Sequence, residues 1–85
     1  MDLSPYRDQI DVLDDEIVRL FVRRMEIVGE MMRLKQAEGV GREDRDREAR
    51  VLERLSEQVP ASCRPALKRL YETIFSIGKD QMIVE

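Results

Sequence analysis

Five charged residues stand on rows that their neighbours mark as inward. Apolar residues recur at Tyr6, Ile10, Leu13, Ile17 and Leu20, in steps of three and four, the period of one helix face. The next inward position is Arg24, and Lys35, eleven residues on, returns to within about 20° of the same face. Arg7 follows Tyr6 at the head of the row, while Arg47 and Glu48 lie one turn before Val51 and Leu52 and continue their inward edge. Four cations and one carboxylate are costly to bury together, since isolated charges in a dry interior cost several kcal/mol each. A small polyanion would supply the missing partner. Arg pairs with carboxylates bidentately and Lys acts as a movable point charge, so the set suggests a dicarboxylate pocket with one acid for a hydroxyl. The plainer alternative is a solvated surface. Arg and Lys snorkel from helix edges, and the run from Arg45 to Arg50 has the composition of a salt-bridged face.

The elements that must position these residues are helices. The first runs from Leu3 to about Glu38, with Ser4 as N-cap, Pro5 in the first turn, and Asp2 and Asp8 near the positive end of its dipole. Ile27, Met31 and Leu34 extend its apolar face, and Asp14, Asp15, Glu16, Arg19, Arg23, Glu26, Glu30 and Arg33 solvate the other. Two glycines in Gly39-Val40-Gly41 end it. A second helix is expected from about Asp44 to Glu57, capped by Glu43 and Asp44, with Val51, Leu52 and Leu55 as its apolar edge. Val59-Pro60-Ala61-Ser62 interrupts. A third helix, N-capped by Ser62, should run from about Cys63 to Gln81, carrying Leu67, Leu70, Tyr71, Ile74, Phe75 and Ile77 with Gly78, Gln81 and Met82 on the same rows.

The first helix is too long for its own chain. Roughly 36 residues at 1.5 Å each make a rod of about 54 Å, whereas a compact chain of 85 residues has a radius of gyration of about 12 Å. A second copy is therefore expected to cover much of its apolar face. Arg7 and Arg24 are 17 residues apart, about 25 Å along the axis, too far to hold one small molecule from one helix. If they share a pocket, Arg7 comes from the other subunit laid antiparallel, which gives two shared pockets about a two-fold axis.

Composition narrows the chemistry. One domain, residues 1–85, is expected, 39 % charged and 5 % aromatic, which suits an aliphatic, Met-rich helical bundle. A net charge of −3 argues against a general nucleic-acid or acidic-membrane binder. With no histidine and a single cysteine, His-based acid/base catalysis, Cys/His metal sites and an internal disulfide are not available. Cys63 reads as a buried or half-buried thiol in a reducing compartment. No apolar run approaches the roughly 20 residues that span a bilayer, so a cytoplasmic protein without metal or cofactor is expected.

The string Leu3-x-x-x-Arg7-x-x-Ile10-Asp11-x-Leu13-Asp14-x-x-Ile17-x-x-Leu20-Phe21-x-x-Arg24-Met25, followed by Lys35 and by Asp44-x-x-Arg47-Glu48, resembles the all-helical, AroQ-type chorismate mutases over residues 3 to 55. The resemblance implies an all-α fold of three helices per subunit with a long first helix, an intertwined homodimer, and the rearrangement of chorismate to prephenate. It also implies roles. Arg7 would reach into the partner's pocket and, with Arg24, clamp the substrate's two carboxylates. Lys35 would donate to the ether oxygen of the breaking bond, Arg47 would assist at a carboxylate, and Glu48 would accept from the ring hydroxyl near the Asp44 backbone.

The third helix departs from the pattern. The family usually has a small polar residue there and, four positions later, a Gln that contacts the ether oxygen. Aligning Tyr71 and Ile74 puts Gly78 and Met82 at those places; a shift of one puts Gln81 there, on the stripe Leu70, Ile74, Ile77, Gln81. Two other readings stay open: an isochorismate pyruvate-lyase on the same fold, and a helical dimerisation module without catalysis.

Overall fold

The computed structural model describes residues 1–39, 41 and 44–80. These form α1 (Ser4–Ala37), α2 (Arg45–Ser56), a 3-10 turn (Ala61–Cys63) and α3 (Arg64–Asp80), with no strand among the described residues.

α1 starts one residue earlier than a Ser4 cap requires. Ser4 is its first helical residue, and the Ser4 amide donates to Asp2 Oδ1 at 2.9 Å. A short acidic side chain two residues back satisfies the orphan amide, while Pro5 sits where no amide is needed. At the other end the helix stops at Ala37, and Gly39 takes φ +73°, a left-handed turn that a residue with a Cβ disfavours. Asp44 caps α2 as expected, accepting from the Arg47 amide at 3.0 Å. Glu43 lies outside the described residues.

The corner between α2 and α3 corrects two expectations. Ser62 sits inside the 3-10 turn and caps nothing; the turn is held by Cys63 N–H donating to the Pro60 carbonyl at 2.9 Å. Cys63 is exposed, because this turn carries it around the outside of the corner. Arg64 Nε donates to the Ser56 carbonyl at 3.0 Å, tying the end of α2 to the start of α3 and satisfying an orphan acceptor.

α2 and α3 form an antiparallel hairpin, with Glu48 early in α2 beside Lys79 late in α3. α3 runs parallel to the second half of α1: Arg24 lies against Tyr71 and Phe75, and Val28 against Gly78. The buried row of α1 is Gly29 and Met32, beside half-buried Arg24, Met25, Val28 and Lys35. Ile27, Met31 and Leu34 are exposed, because α3 packs on the neighbouring row.

The first half of α1 has no packing neighbour among the described residues. Tyr6 is 66 % exposed and Ile17 62 %, with Ile10, Leu13 and Leu20 also exposed, and the buried apolar side chains among the described residues are Met32 and Val51. The molecule measures 57 × 30 × 15 Å with a radius of gyration of 16.1 Å, well above the roughly 12 Å of a compact chain of this length.

Candidate active site

At the C-terminal end of α1, where α2 begins and α3 nears its end, the three helices enclose a cavity of about 400 Å³. α1 presents Arg24, Val28, Met32 and Lys35 to it, a spacing of four, four and three that keeps them on one face for three turns. α2 contributes Asp44, Arg47, Glu48 and Val51, so its N-terminus, the positive end of the helix dipole, opens on the cavity. Phe75, Gly78 and Lys79 of α3 close the third side.

Arg24, Lys35, Asp44, Arg47, Glu48 and Gly78, all singled out from the sequence, are thus brought to one place. Arg7 is not: it sits exposed on the same unbroken helix as Arg24, about 25 Å away along the axis. Gln81 and Met82 lie outside the described residues. Leu70, at the head of the stripe that would lead to Gln81, is exposed, whereas Tyr71, Phe75 and Gly78 are turned inward.

The cavity holds a further cation that the sequence reading passed over. Lys79 Nζ lies 3.0 Å from Glu48 Oε2, and both side chains are about one quarter exposed, at 26 % and 25 %. Lys79 stands four residues after the apolar-row Phe75, and that spacing was the available signal.

The charges are unequal. Arg24, Lys35, Arg47 and Lys79 face Asp44 and Glu48, a surplus of two positive charges. Both carboxylates are engaged, Asp44 by the Arg47 amide and Glu48 by Lys79. Among the described residues no carboxylate pairs with Arg24, Lys35 or Arg47. The Arg24 guanidinium instead lies 5.9 Å from the ring centroids of both Tyr71 and Phe75. Those rings hold each other edge to face at 5.7 Å, which steadies the arginine without neutralising it. A half-enclosed site with two unbalanced positive charges and apolar walls is complementary to a small dianion carrying a hydrophobic frame.

Gly78 has a packing role. A Cβ there would lie 3.3 Å from Val28 Cγ1, so the missing side chain lets α3 approach α1 beneath the cavity. Among the described residues no group of His, Cys, Asp and Glu could hold a metal ion, and no helix is long and apolar enough to cross a membrane.

No curated protein and no solved structure matches the chain. The sequence model of one protein family, chorismate mutase type II, matches residues 6–82, which take in α2, α3, all of α1 after Pro5 and every cavity residue. With that match over most of its length, the chain belongs to the chorismate mutase type II family, a family of isomerases.

Proposed function

We propose that this chain is a chorismate mutase, acting as a homodimer with two shared active sites, and that it rearranges chorismate to prephenate. The observation that carries the reading is the gathering of Arg24, Lys35 and Arg47, unpaired with any described carboxylate, around a cavity that also holds Glu48. The substrate has two carboxylates, an ether and a ring hydroxyl. Each finds a counterpart in this set.

The reaction is an intramolecular pericyclic shift: the ether C–O bond breaks as a C–C bond forms, and no proton or covalent bond passes through the protein. A chain without histidine is no obstacle to it. Catalysis then has two sources. Arg24 and the partner's Arg7 grip the carboxylates, with Arg47 assisting, and hold the side chain over the ring in its reactive conformer. Lys35 faces the ether oxygen, where negative charge develops, and stabilises it more in the transition state than in the ground state. Glu48 accepts from the ring hydroxyl beside the Asp44 backbone. Gly78 shapes the floor; by the family pattern the contact to the ether oxygen falls to Gln81 or Met82, both outside the described residues.

The half-naked rod supports the homodimer. Tyr6, Ile10, Leu13, Ile17 and Leu20 leave an apolar stripe in water, and a second α1 laid antiparallel along it would bury both stripes. The same arrangement would bring the partner's Arg7 to the cavity.

Loss of chorismate absorbance with purified protein, and with Lys35→Ala, tests the reading. Turnover by the parent and loss in the variant support it. Release of pyruvate from isochorismate with no turnover of chorismate would favour the lyase, and failure to bind a bicyclic dicarboxylate at high micromolar concentration would leave only a dimerisation module.

A further inference from the structure

We propose that Lys79 is a positioning residue for Glu48, and that it sets the charge against which the dianionic substrate binds. The inference rests on the mutase reading.

Glu48 is an awkward group in this cavity. The hydroxyl it would serve belongs to a molecule with two negative charges, and a bare carboxylate in a half-buried site repels such a ligand. Lys79 removes the conflict. Its ammonium lies 3.0 Å from Glu48 Oε2, so the pair presents no net charge, and Oε2 is held in one place. A carboxylate has two oxygens and several lone-pair sites, which leaves Oε1 to accept the hydroxyl proton in hydrogen bonding.

The placement of the pair suits this role. Glu48, Lys79 and Phe75 line both the main cavity and a second one of about 370 Å³ on the other side of the α2–α3 seam. The ion pair is therefore the partition between them, gripped from two helices rather than dangling from one. At about one quarter exposed, both partners are screened less than a surface pair.

A role through Glu48 differs from direct contact with substrate and from a plain staple between α2 and α3. The test is a double-mutant cycle on Lys79→Met and Glu48→Gln, with Lys79→Arg as the conservative variant. KM and kcat for chorismate are read, with calorimetric affinity for a bicyclic dicarboxylate and a thermal unfolding midpoint. Lys79→Met should raise KM about tenfold with kcat within about threefold, since the repulsion acts on bound substrate and transition state alike. Lys79→Arg should restore KM to within about twofold, because it keeps the charge. With Glu48→Gln already present, Lys79→Met should cost less than about twofold.

An equal cost of Lys79→Met in both backgrounds would mean that Lys79 meets the substrate itself and would overturn the inference. So would an unchanged KM with a lowered unfolding midpoint, the mark of a staple. If the parent protein neither turns over chorismate nor binds the dicarboxylate, the mutase reading fails and takes this inference with it; an active parent with an additive cycle sinks this inference alone.

Discussion

Gly78 and Val28 mark the closest approach of α3 to α1: a Cβ on the glycine would lie 3.3 Å from Val28 Cγ1. Val28 is half-buried and its methyl can move a few tenths of an ångström, and Ala is better than Gly within a helix by about 1 kcal/mol. Gly78→Ala should therefore leave the urea midpoint nearly unchanged. Gly78→Leu should destabilise by about 1 to 3 kcal/mol, since the larger side chain has nowhere to go except into Val28 or the cavity. A Gly78→Leu protein as stable as the parent would contradict the close packing.

Lys35 is assigned the electrostatic part of catalysis. Losing one such donor typically lowers kcat by 100- to 1000-fold, about 3 to 4 kcal/mol. Lys35→Ala should do so while leaving the oligomeric state and helical circular dichroism unchanged, because Lys35 is only half-buried near the end of α1 and pairs with no described carboxylate. Near-parental turnover would remove the role.

Asp2 makes the start of α1 sensitive to acid. Its carboxyl lies below its ordinary value of 3.8, chiefly because it accepts from the Ser4 amide. A carboxylate whose value is depressed in the folded chain stabilises above its unfolded value and loses that contribution as the pH falls through the folded one. Amide protection in the first turn, at Ser4 and its neighbours, should therefore hold at neutral pH and fall below pH 3.8. Asp2→Ala should show the unprotected behaviour at every pH, and a pH-independent parent would contradict the assignment.

Much of this was legible in the sequence, for a physical reason: helical spacing is local. Arg24 and Lys35, eleven residues apart, had to share a face, and Arg47 and Glu48 had to lead into Val51 and Leu52. Which of two adjacent rows faces inward is not local. Ile27, Met31 and Leu34 looked like the core, yet all three are exposed, Ile27 and Met31 where they line the cavity, and α3 seats on Val28 because Gly78 admits it there. Lys79 was missed because a charged residue beside an apolar stripe looks like the edge of a solvated face until its partner on another helix is known. Cys63 was misjudged because only the 3-10 turn decides which way that corner points.

The central claim is that Arg24 of one subunit and Arg7 of another serve the same cavity. Arg7→Ala and Arg24→Ala proteins, each nearly inactive alone, should be unfolded together, refolded as a mixture and assayed with chorismate. Half the dimers would then be mixed, and each would carry one intact site, so about one quarter of the parental activity should return. A refolded mixture no more active than its two components would show that the sites are not shared.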